Sequence, residues 1–119
     1  MKLLVCGGRD YDDREAVFAA LDRVHAKRPI TLLIHGAARG ADTLADEWAR
    51  ARGVPRDPHP ADWATHGRRA GPMRNQQMLE LKPDGVVAFP GGRGTANMAG
   101  IARAAGVPVW EPLRQRDSA

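Results

Sequence analysis

The chain has 119 residues and a mass of 12.9 kDa, which is one domain's worth of sequence. Its 43% hydrophobic and 27% charged residues match an ordinary soluble globular domain, and no apolar run approaches the ~18 residues that a bilayer crossing needs. The net charge of +4 is carried mostly by arginine, Cys6 is the single cysteine and Ser118 the single serine; this excludes a disulfide framework, a thiolate zinc site and serine-nucleophile catalysis.

In chain order, Leu3 to Cys6 is a short apolar run ended by Gly7-Gly8, the pattern of a strand buried on both faces. Asp12 with Glu15 three residues on predicts a capping box, and Val17, Ala20, Leu21 and Val24 follow helical spacing until Arg28-Pro29 stops them. Ile30 to His35 predicts a second strand ending at Gly36. Ala41, Leu44, Ala45, Trp48 and Ala49 then form one apolar helix face that Gly53 terminates. A short third strand is expected near Arg56 to His59, followed by an ordered, proline-rich loop to Gly71. Pro72 is expected at the first position of a helix through Leu81. Gly85 to Phe89 reads as a fourth strand, Pro90 to Gly94 as a turn, Thr95 to Ala105 as a small-residue helix, and Val107 to Trp110 as a fifth strand. Trp48 and the methionines fit core stripes. Strict alternation of strand and helix implies an α/β, Rossmann-like doubly wound sheet of about five parallel strands with helices on both faces. The expected division is a single domain over 1–112 and a polar tail over 113–119.

Three strand-to-helix turns are glycine-rich, and each carries an arginine: Gly7-Gly8-Arg9-Asp10, Gly36-Ala37-Ala38-Arg39-Gly40, and Pro90-Gly91-Gly92-Arg93-Gly94-Thr95. In a parallel sheet all three emerge at the carboxyl ends of the strands, where such folds bind ligands. Glycine admits a ligand close to the backbone, and the helix start behind it offers free N–H groups and a positive dipole end. Three Gly-Arg turns on one rim describe an anion cradle. The last turn lacks the lysine of a phosphate-binding P-loop, and Asn97 stands where a dinucleotide fingerprint needs its third glycine.

The Pro90 to Thr95 turn resembles the PGGxGT signature of the SLOG superfamily, which includes the "lonely guy" phosphoribohydrolases and the DNA-processing protein A family. Gly36 to Asp42 is similar to the G-x-A-R-G-x-D stretch of the latter. Together with Cys6 to Tyr11, Ala61-Asp62-Trp63 and Ala70 to Asn75, these motifs resemble the small stand-alone YspA-like SLOG proteins over roughly residues 2 to 110. The resemblance implies a Rossmann-like sheet and a nucleotide-derived ligand, with no metal or cofactor required. The phosphoribohydrolases carry Arg-x-x-x-Met, matched by Arg74 to Met78, but their catalytic glutamate falls where this chain has Asn97 and Met98. An amide cannot serve as a general base near neutral pH, so that mechanism does not carry over intact.

On this reading Gly7, Gly8, Arg9, Gly36, Arg39, Gly40, Arg74, Asn75, Gly91, Gly92, Arg93, Gly94, Thr95 and Asn97 bind the ligand and its phosphate. Asp10, Asp42 and Arg74 are the candidates for catalysis if turnover occurs. Asp42 is also suited to cap the second helix, and Trp63 either stacks on a base or anchors its loop. The leading expectation is a nucleotide-binding protein. The alternatives are a nucleoside-monophosphate N-glycosidase and a single-stranded nucleic-acid binding module. A homodimer, a cytoplasmic location and no membrane partner are expected.

Overall fold

In a computed structural model that describes residues 1–113, the chain folds as five strands and five α-helices, with one helix in each connection except the third, which holds two. Strand β1 is Lys2–Cys6, β2 Leu32–His35, β3 Arg56–Pro58, β4 Gly85–Ala88 and β5 Val109–Trp110. Helix α1 is Arg14–Lys27, α2 Ala41–Arg52, α3 Trp63–His66, α4 Ala70–Glu80 and α5 Arg93–Ala104, with a 3₁₀ turn over Gly67–Arg69. The tail expected from residue 113 lies, apart from Leu113, outside the described residues. No helix among those residues is long and apolar enough to cross a membrane.

All strand pairs are parallel and the sheet order is β3-β2-β1-β4-β5. The chain therefore winds outward from β1 in one direction, returns, and winds outward from β4 in the other. Because parallel crossovers are right-handed by preference, reversing direction moves the connecting helices to the opposite face. The core divides accordingly. Leu3, Val5, Leu33, Val87 and Phe89 face α1 and α2, meeting Val17, Leu21, Ala45 and Trp48. Leu4, Cys6, Ile34, Val86 and Ala88 face α4 and α5, meeting Met78, Met98 and Ala102. The period-2 alternation of two near-continuous apolar strands thus feeds two cores, as a sheet covered on both sides requires.

Several boundaries differ from the sequence reading for local reasons. The α1 cap is Asp13, whose carboxylate accepts from Ala16 N–H at 3.1 Å, so the expected Asp12–Glu15 box does not form. Ile30 and Thr31 precede β2 rather than belonging to it. The segment expected as a loop before Gly71 is largely helical, as α3 and the 3₁₀ turn lead directly into α4. Pro72 therefore sits inside the first turn of α4, where its missing N–H costs nothing because first-turn donors have no intrahelical acceptor. Met73 is exposed, unlike buried Met78 and Met98, so the methionine stripe is only partly core. Helix α5 begins at Arg93, two residues earlier than expected, with Gly92 as its cap.

Candidate functional site

The residue that joins the three turns is Gly8. Its N–H donates to the Pro90 carbonyl at 2.8 Å, and its own carbonyl accepts from Tyr11 N–H at 3.2 Å and from Ala41 N–H at 3.1 Å. The turn after β1 is thereby stitched to the turn after β4 and to the start of α2. Glycine is required on both sides of this junction. A Cβ on Gly8 would lie 2.9 Å from the Pro90 carbonyl oxygen, and one on Gly91 would lie 2.7 Å from Gly8 N. Gly40 adopts φ +80° and presses on the Gly8 and Arg9 backbone, which no side chain would permit. The convergence of three distant bends at the carboxyl edge is thus a packing fact of the fold.

Beside this junction, at the carboxyl edge of the sheet, lies a cavity of about 570 Å³. Gly7, Gly8, Arg9, Gly36, Arg74, Asn75, Gly92, Arg93, Gly94, Thr95 and Asn97 of the expected ligand set line it, as does Asp42. Gly40 and Gly91 stand behind the wall and let the turns meet. Asp10 and Arg39 are not brought in: they are strongly exposed, and Arg39 Nη2 approaches Asp10 Oδ1 at 3.6 Å on the outer rim. Cys6, Arg68 and Gly71, which lie outside the expected ligand set, also line the cavity. Arg68 is an exposed residue of the helical run over 63–70 that reaches the cavity's rim, and the prolines before that run give no sign of it.

The start of α5 supplies donors. No side chain caps it, and the N–H groups of Arg93, Gly94 and Thr95 have no partner among the described residues. Unpaired first-turn amides with the positive end of the helix dipole favour an anion. Helix α2 is different, because the Gly8 carbonyl already takes its Ala41 N–H. Asp42 does not cap α2: its Oδ2 accepts from Ala38 N–H at 3.2 Å, which holds the preceding loop.

Arg74 is positioned before any ligand arrives. Its Nη1 donates to the carbonyls of Gly36 and His59, and its Nε donates to Asn75 Oδ1 at 3.0 Å. Nη2 has no partner among the described residues, leaving one arm of the fork for the cavity. A Cβ on Gly36 would come within 2.7 Å of Arg74 Cζ and 3.0 Å of Asp42 Oδ2, so the glycine makes room for the guanidinium. Burial lowers the affinity of Arg74 for its proton, and the neighbouring Arg9 charge adds to this while Asp42 opposes it. Asn75, also buried, gives its Nδ2 to the Gly94 carbonyl at 3.1 Å and to Asn97 Oδ1 at 2.9 Å. It ties α4 to the first turn of α5 and so sets the cavity's width.

Among the lining residues Arg9, Arg68, Arg74 and Arg93 face a single carboxylate, Asp42. That carboxyl is raised above its ordinary value, chiefly by burial, against the lowering effects of Ala38 N–H and Arg74. Burial also pushes the Cys6 thiol up to about 12, assisted by the Asp42 charge. His35 has a structural role: its Nδ1 accepts from Ala37 N–H at 2.9 Å, so Nε2 carries the proton and donates to Asp46 at 2.8 Å. This bond braces a turn whose Ala37 is held at φ +56°.

Comparison with known proteins agrees with this architecture. The gene 61 protein of Mycobacterium phage D29 is 41% identical over 116 residues, covering 91% of this chain and 93% of the phage protein. A family model described as YspA, cpYpsA-related SLOG matches residues 1–66, which include the first two glycine turns and Trp63. The chain therefore belongs to the YspA, cpYpsA-related SLOG family.

Proposed function

We propose that the cavity binds a nucleotide or nucleotide-derived phosphate ester, with the phosphate on the first turn of α5. The observation that carries this reading is the pairing, among the described residues, of three unpartnered amides at Arg93, Gly94 and Thr95 with a wall of four arginines and one carboxylate. A phosphate accepts from backbone amides and from the free arm of Arg74 at once, and each charge-assisted bond contributes about 1.5–3 kcal/mol. Family membership points the same way, toward nucleotide-related binding or processing. The cavity volume of about 570 Å³ suits a ligand of that size. Calorimetric titration with nucleoside monophosphates, cyclic dinucleotides and ADP-ribose tests the proposal. Saturable heat with at least one of them is expected, and no heat with any overturns it.

A second reading, cleavage of an N-glycosidic bond, is favoured by one observation. Among the described residues Asp42 is the sole carboxylate on the cavity wall, and its raised pKa suits proton transfer. It would take over from the glutamate that Asn97 replaces. Release of free base from a nucleoside monophosphate, lost in Asp42→Asn while binding persists, is the expected result if turnover occurs. Binding without base release leaves a pure receptor.

A further inference from the structure

Trp63 is the most exposed large apolar side chain among the described residues, at 47%. The contrast with Trp48 is direct: that ring is fully buried and gives its Nε1–H to Asp22 at 2.8 Å, whereas the Trp63 indole N–H has no partner among the described residues. A tryptophan used only to anchor a loop would be buried with its N–H satisfied. Trp63 is nevertheless held in place. Asp62 caps the turn by accepting from Thr65 N–H at 3.1 Å, and the ring edge rests on α4, where a Cβ on Gly71 would lie 3.1 Å from Cη2. One face of the indole carries the Arg9 guanidinium, 5.0 Å from the ring centroid. Both side chains line the same cavity as the first turn of α5.

We infer that Trp63 and Arg9 form the recognition platform for the base, a planar heteroaromatic ring stacking on the indole face that Arg9 now covers. The inference rests on the nucleotide reading and adds which end of the cavity reads the base. A guanidinium plane and a nucleobase both stack on indole, so the ring takes a place the fold has already shaped for a flat cation. Arg9 is a long, exposed side chain on the turn next to Gly8 and can close over the outer face of the ring. The wider overlap of a two-ring base with indole makes purine nucleotides the preferred class.

The test is a titration of the full chain with inorganic phosphate, ribose 5-phosphate, AMP and CMP, read by calorimetry and by tryptophan emission, for the wild type, Trp63→Phe and Trp63→Leu. AMP is expected to bind more tightly than CMP, and ribose 5-phosphate at least tenfold more weakly than AMP. Trp63→Leu is expected to weaken AMP about five- to a hundredfold, as loss of a stacking aromatic does, and to leave ribose 5-phosphate within twofold. Trp63→Phe should keep most of the AMP affinity, which separates lost stacking from lost folding. Equal binding of AMP and ribose 5-phosphate, or equal weakening of both by Trp63→Leu, overturns the platform while leaving the phosphate cradle standing. Failure of all four probes to bind overturns the cradle and the platform together.

Discussion

Gly36→Ala separates the cavity's architecture from its stability. The new methyl group would meet Arg74 Cζ at 2.7 Å and Asp42 Oδ2 at 3.0 Å. The backbone at Gly36 has no positive φ that alanine would strain. The end of the Arg74 side chain is flexible, so relief comes from moving the guanidinium outward, which breaks its bonds to the Gly36 and His59 carbonyls. A half-buried guanidinium regains water when it moves, so the loss of folding stability should stay near 1–2 kcal/mol. The loss of ligand binding should be larger. An arginine removed from a phosphate costs about 1.5–3 kcal/mol, or roughly ten- to a hundredfold in affinity. Isothermal titration of AMP into Gly36→Ala, Arg74→Ala and the double variant measures this, with thermal unfolding as the control. Because both substitutions remove the same interaction, the double variant should bind no more weakly than Arg74→Ala alone. Affinity within twofold of wild type for Gly36→Ala, or additive losses in the double variant, would refute the reasoning.

Three further outcomes follow from the same geometry. Asn75→Ala removes a buried amide that holds Gly94 and Asn97, and calorimetric unfolding should show a loss of about 1–3 kcal/mol with weakened phosphate binding. Asp46 is raised by burial but held below the ordinary carboxylate value on balance, by bonds from His35 and Arg56. Its contribution is therefore present above the unfolded value and is lost as pH falls through the folded one. Acid titration of stability should show a drop below about pH 4 that is shallower in Asp46→Asn. Cys6, with its thiol pushed up to about 12, should resist iodoacetamide at pH 8 in the native protein and react fully once unfolded.

The sheet was legible because its strands are runs of apolar residues bounded by glycine or proline, a local pattern that parallel packing preserves. The three Gly-Arg turns were legible for the same reason, since parallel topology sends every strand-to-helix turn to one edge. The direction of individual side chains was not. Asp10 and Arg39 sit in the same kinds of turn as Arg9 and Asp42, yet both side chains lie exposed on the outer rim, where they face each other. Asp42 resembles a helix cap in sequence, but α2 starts at Ala41 with Gly40 in the cap position, so Asp42 falls within the first turn and its carboxylate reaches back to Ala38. The helical stretch around Trp63 is hard to read in the sequence because its prolines and glycines resemble loop punctuation. Its Asp62 cap was a visible signal, and only packing against Gly71 decides the outcome.

Amide chemical shifts of the ¹⁵N-labelled chain during titration with AMP test most directly whether the gathered bends form a single anion site. Saturable shifts are predicted at Gly8, Arg93, Gly94 and Thr95, with the Arg74 side-chain Nε–H moving in step. Saturable shifts confined to Arg23, Lys27 and Arg28, which line a separate hollow beside Trp110, or no saturable shift at all, would contradict the account.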